Sequence, residues 1–167
     1  MDRASYRARQ FLRAVMARPR PEDLASAGAI LGPELYDLFL RLPPPDQAHA
    51  LQVYRSLQRQ GHRHPDVLAA GLLHDVGKSP LPLRHLDRVA VVLGQAFLPG
   101  RARAWQAGDP AGWRRGFVVA CHHPEWGATM VAQAGGSERL VALVRNHQTG
   151  TGSDPSLAAL QAADGDS

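Results

Sequence analysis

Proline and glycine recur along this chain at intervals that leave room for a helix and little else. Gly32-Pro33, Pro43-Pro44-Pro45, Gly61, Pro65, Gly77, Pro80, Pro82, Gly135-Gly136, Gly150 and Pro155 each interrupt an apolar run. Proline lacks the amide hydrogen that a helix interior needs, and glycine weakens either regular structure, so both mark boundaries. Between these marks apolar residues return with helical periodicity. No sustained apolar/polar alternation and no Asn-Gly hairpin signal occurs. The spacing predicts helices near 4–17, 22–30, 34–41, 45–60, 66–76, 84–97, 114–121, 125–134, 138–148 and 154–164. Ser137 and Ser153/Asp154 stand where N-caps belong. Residues 98–112 are expected to be irregular. The fold class is all-α.

The length of 167 residues suits about one domain with a sizeable core. No run reaches the ~18 apolar residues of a membrane span. In MDRASYRARQFLRAVMARPR, the arginines break what would be a signal-peptide apolar region, and Phe11, Leu12, Val15 and Met16 suit an amphipathic helix packed on the domain. Cys121 stands alone among Val118, Val119 and Ala120. It is expected to be a buried small hydrophobe in a reducing, cytoplasmic protein. The formal charge is +4, from 18 arginines and one lysine scattered along the chain. That pattern suits a solvated surface and a field favouring small anions; a membrane or nucleic-acid partner is not expected.

The sequence becomes specific at GLLHDVGKSP, residues 71–80. An apolar helix there closes on His74 and Asp75, and Gly77 is expected to take the left-handed stop position. A carboxylate and an imidazole at the floor of a core suit either a divalent ion or a mutual hydrogen bond. Further polar groups sit at the ends or faces of apolar helices. His49 shares its helix with Ala50, Val53, Tyr54 and Leu57. His123 opens HPEWGATM, with Pro124 expected in a first helical turn. His147 ends RLVALVRNHQ, and Asp164 closes LAALQAAD. Burying such groups is costly unless they are partnered. His62 and His64 flank the Gly61 turn and are expected to be exposed.

In this order, His49, His74-Asp75 and Asp164 resemble the H…HD…D signature of the HD-domain superfamily of metal-dependent phosphohydrolases. HDVGK at 74–78, HPEWGA at 123–128 and VRNHQ at 144–148 are similar to further phrases of that superfamily. The resemblance covers residues 45–164. It implies a compact multi-helix HD-domain bundle with a central metal site. Residues 45–167 would form this domain and residues 1–44 a helical extension packed on it, as one structural unit. It also implies that His49, His74, Asp75 and Asp164 hold a first ion, and that His123 and His147 hold a second, with Asp75 bridging. His122 is an alternative to His123, although the Pro-Glu-x-Gly context favours His123. Many two-metal members carry a second histidine where this chain has Gln148, and an amide is a poorer ligand than imidazole.

The resemblance further places Lys78 near a substrate phosphate, and the residues agree. This is the only lysine in a chain of eighteen arginines, and a compact ammonium approaches phosphate as a point charge. The expected cofactors are one or two divalent transition ions. Manganese, iron, cobalt or nickel suit a His/carboxylate set better than magnesium. The expected catalytic residues are Asp75 and Lys78. The expected activity is hydrolysis of a phosphate ester of a nucleotide or other small anionic molecule. A di-iron oxygenase of the same superfamily and a non-catalytic metal-holding sensor are the alternatives. The Arg- and Trp-containing segment 98–115 reads either as a substrate lid or as a surface loop pinned by Trp105.

Overall fold

The computed structural model describes residues 18–110, 112–150 and 154–166; the side chain of His85 and the helix expected at 4–17 lie outside that description. Eight α-helices form the described part: α1 (Pro21–Leu40), α2 (Pro44–Arg59), α3 (Pro65–Leu73), α4 (His85–Phe97), α5 (Pro99–Trp105), α6 (Arg115–Gln133), α7 (Glu138–Asn146) and α8 (Pro155–Gly165). No strand occurs among the described residues, so the all-α expectation holds.

Proline does at the helix starts what the sequence implied. Pro21, Pro44, Pro65 and Pro155 occupy first turns, where a missing N–H costs nothing. Ser137 and Asp154 accept N-cap hydrogen bonds from Leu140 N and Ser156 N. The two segments expected at 22–30 and 34–41 run together as α1, broken at Gly32 by φ 70° and ψ 173°.

The fold is organised around α3. Every residue from Val67 to Leu73 is buried, and the helix packs against α1, α2, α7 and α8. A helix apolar on all sides belongs in the middle of a core. Each fully buried leucine or valine there contributes about 1.5–3 kcal/mol. Gly71 lets α2 approach closely: an added Cβ would lie 2.8 Å from Leu57 Cδ1 and 3.3 Å from the Tyr54 backbone. Because α3 is the central helix, His74 and Asp75 at its C-terminal end emerge inside the molecule.

Five local expectations need correction. The helices expected at 114–121 and 125–134 are one helix, α6, and His123-Pro124 lies inside it. Segment 98–112 contains α5, whose Trp105 packs edge-on against Trp113 and Phe117. Cys121 is exposed, because its helix turns the other side to the core. The helix expected at 66–76 ends at Leu73, and residues Val76–Lys78 form a 3₁₀ turn. Gly77 within that turn is not left-handed; among the described residues only Gly32, Gly61 and Gly135 have positive φ. Gly77 is needed for close approach instead. A Cβ there would overlap the carbonyl oxygen of His123 and come within 2.6 Å of Gly127 N on α6.

Candidate metal centre

The 3₁₀ turn packs against α6 at this point, and α7 runs back beside α6. These contacts gather polar side chains from five helices and the turn between them. His49 (α2), His74 (end of α3) and Asp164 (α8) form one group, with ligand atoms within 4.8 Å of one another. Asp75, His123 (α6) and His147 (after α7) form a second group within the same limit. His74 joins the two, since its ring lies 5.3 Å from that of His147 and 5.4 Å from that of His49.

The structure thus brings together all six residues that the sequence nominated as ligands. It groups Asp75 with His123 and His147, but the carboxylate faces both ways. Oδ1 is 3.2 Å from His123 Nε2 and 3.9 Å from His147 Nε2. Oδ2 is 2.6 Å from Lys78 Nζ and 3.7 Å from His74 Nε2. His122, the alternative, is exposed and stacks on Trp126. His64 is exposed and His62 half-buried; His64 accepts a cap bond from Asp66 N.

The ring orientations share one feature. Nδ1 of His74 is 3.1 Å from Gly71 O, Nδ1 of His123 is 2.9 Å from Val119 O, and Nδ1 of His147 is 2.7 Å from Val144 O. A carbonyl oxygen only accepts, so each Nδ1 carries the proton and donates. In the neutral ring each Nε2 is then left with its lone pair turned inward, the arrangement in which metal-ligating histidines are held. Pro124 contributes to this: it has no N–H for Ala120 O, and that carbonyl lies 3.1 Å from His123 Nδ1.

This tautomer leaves electron pairs facing one another. His123 Nε2 and His147 Nε2 are 3.3 Å apart, too close for two lone pairs with nothing between them. His74 Nε2 is fully buried and has no hydrogen-bond partner; its 3.4 Å approach to Asp164 Oδ1 lacks hydrogen-bond geometry. His49 Nε2 is 2.9 Å from the same Asp164 oxygen. Inward lone pairs, an orphaned buried nitrogen and two carboxylates are what a divalent cation satisfies. The residues fit one.

Protonation follows the same field. Burial pushes the Asp75 carboxyl up, but Lys78, His74 and His123 outweigh it and hold it well below the ordinary range. Burial likewise opposes ionisation of Asp164, and the hydrogen bond from His49 and the contact with His74 overcome it. Burial and the neighbouring His74 charge lower His147 to about 4. For His74 burial pulls down, yet Asp75 and Asp164 raise it above its ordinary 6.5. The metal-free protein therefore gains stability from protonated His74 below pH 6.5 and loses it as pH rises through the raised value. A cation bound at Nε2 competes with that proton. Metal uptake is expected to release the His74 proton wherever pH lies below its raised value, so affinity should fall as pH falls through that value, with His147 adding nothing until about 4. Titration calorimetry in buffers of different ionisation heat measures this; affinity flat from about pH 8 to 5 would contradict it.

Gln148, which the sequence placed beside the second site, reaches it: Nε2 is 3.4 Å from His123 Nε2. Lys78 stands beside Asp75 with its side chain 20% exposed. A surface cavity of about 530 Å³ lies elsewhere, lined by Gln52, Ser56, Arg59, Gln60 and Asp166, and includes none of the six convergent side chains.

An all-α domain whose central helix delivers a His-Asp pair into two adjoining His/carboxylate groups defines a metal-binding helical domain. A family model described as the HD domain matches residues 47–166, and the chain belongs to that family. It is a member of the HD-domain superfamily of metal-dependent phosphohydrolases. No match was found among curated proteins or among solved structures.

Proposed function

We propose that this chain hydrolyses a phosphate ester of a nucleotide or a related small anionic molecule. In this reading His49, His74 and Asp164 hold one divalent ion, His123 and His147 hold another, and Asp75 lies between the two sets. Manganese, iron, cobalt and nickel suit this donor set. Such ions, when bound, supply Lewis acidity and a water activated at neutral pH.

The observation that carries the phosphate assignment is the Lys78–Asp75 contact. Lys78 Nζ donates to Asp75 Oδ2 at 2.6 Å, and the ammonium has two further N–H groups to offer. Held there, it can meet an anion beside the two groups and offset charge that grows on phosphoryl oxygens during transfer. Asp75 thereby orients the lysine as well as serving the ions. Asp164 and His49, each about one third exposed, leave the first group open on its outer side.

Lys78→Ala is expected to keep metal content near wild type and to lower turnover of a phosphate substrate by ~10²–10³. Lys78→Arg should rescue only in part, because a planar guanidinium does not fit the point-charge contact with Asp75. Substrates are found by screening phosphorylated metabolites with manganese-loaded protein under anaerobic conditions. Phosphate release there supports the hydrolase. Activity that strictly requires iron and dioxygen assigns the chain to the oxygenases and sinks the proposal.

A further inference from the structure

Helix α4 is turned inside out. At ~100° per residue, Leu86, Val89, Val92, Leu93 and Phe97 fall with Ala90 and Ala96 on one arc of roughly 160°. That arc faces solvent: Leu86 is 80% exposed and Phe97 76%. The opposite side meets the protein through its smallest and most polar residues. Gly94 seats on Phe117, with an added Cβ only 2.7 Å from the ring, and Asp87 and Val91 close on Gly116. Arg88 anchors the helix to Asp46 at 2.6 Å. Of the eight large apolar side chains left substantially exposed among the described residues, seven lie between Leu86 and Trp113. Trp113, 67% exposed, packs on Trp105 beside this helix. Removing such a concentrated patch from water is strongly favourable, and isolated surface leucines do not account for it.

The charges around the patch decide what covers it. Arg84 precedes α4, Arg101 and Arg103 lie on α5, and all three are exposed. Arg114 stacks over Trp113 at 5.2 Å. The one carboxylate within α4, Asp87, is engaged by Arg84 N at 2.9 Å. A second copy docked face to face would bring these arginines together. Residues 1–17 carry four more arginines and a single acid, Asp2, so they repel the same rim. An apolar face with tryptophan at its edge and arginine around it complements an anionic lipid surface.

We propose that α4, with α5 and Trp113, seats the protein on the surface of an anionic bilayer. Among the described residues no helix is long and apolar enough to cross a membrane. The helix lies in the interface instead, a mode that a search for spanning segments does not detect. The inference is independent of the reaction at the metal centre.

The test is sedimentation of the full chain with vesicles of phosphatidylcholine alone or mixed with phosphatidylglycerol. Wild type should pellet with the mixed vesicles, far less with the neutral ones, and less as salt rises. Val92→Glu with Phe97→Glu should cut partitioning by at least about tenfold. Arg101→Gln with Arg103→Gln should cut it roughly 25-fold, about fivefold for each arginine. All four positions are exposed, so circular dichroism and metal content should stay at wild-type values. Wild type remaining in the supernatant with every vesicle overturns the proposal, as does equal pelleting of the Glu variant. Self-association that the Glu variant abolishes, without vesicle binding, assigns the face to a second copy and also overturns it.

Discussion

Asp75→Ala is expected to purify with neither site able to hold its ion and to lose turnover by roughly 10³-fold or more. The reason is position. Asp75 is the residue whose carboxylate faces both groups, with Oδ1 toward His123 and His147 and Oδ2 toward Lys78 and His74. Its removal takes the anion out of the second group, leaving the two imidazole lone pairs 3.3 Å apart without a counter-charge. It also frees Lys78 from the carboxylate that anchors it, and loss of a single transition-state contact costs ~10²–10³. The fold should survive, because Lys78 is partly exposed and can turn to water. Asp75→Asn keeps the volume and one oxygen but not the charge, so it should fail nearly as badly. His123→Ala provides the contrast. It lies in the second group alone and should cost about one equivalent of metal. Elemental analysis after incubation with manganese reads the difference. If Asp75→Ala retains as much metal as His123→Ala, Asp75 does not serve both groups.

The parts of this site that could be read from sequence are those written in residue type. Helical boundaries followed from proline and glycine because both act on the local backbone, and the all-α fold with them. The six convergent side chains stood out as polar groups at the ends or faces of apolar helices, which demand partners, and the resemblance to HD domains supplied their ligand roles. What local reasoning could not supply was the relation between helices. His123-Pro124 reads locally as a helix start, since proline favours first turns. In the fold the packing of α6 against the 3₁₀ turn and α7 carries the helix through the proline, and the imidazole lies beside the carbonyl that proline leaves without an amide partner. The outward apolar face of α4 was hidden for a similar reason. Its periodicity is that of any amphipathic helix, and the tertiary contacts of Gly94, Gly116 and Arg88 show which side is inside.

Gly77→Ala should be among the most damaging single-methyl additions in the chain. If Gly77 were a left-handed stop, alanine would strain the backbone by about 1 kcal/mol and asparagine would be tolerated. The backbone is not left-handed there. The obstacle is steric, and it is backbone: the new Cβ overlaps His123 O and lies 2.9 Å from His123 C and 2.6 Å from Gly127 N. A flexible side chain would give way to a methyl at small cost, but here α6 itself must shift. Overpacking typically costs 1–3 kcal/mol, and a rigid neighbour places this case at or above about 3. That is a large part of the ~5–15 kcal/mol by which a domain is stable. The displaced segment carries His123, so the second metal group should open with it. Gly127→Ala is the milder control: its Cβ would sit 3.1 Å from Gly77 N and 3.3 Å from Val144 Cγ1, distances that small adjustments relieve. Urea unfolding midpoints should therefore rank wild type above Gly127→Ala, and Gly127→Ala well above Gly77→Ala. Gly77→Asn should be no better than alanine, because it carries the same Cβ into the same carbonyl. A wild-type midpoint and full metal content in Gly77→Ala would show that α6 and the 3₁₀ turn are not in contact here.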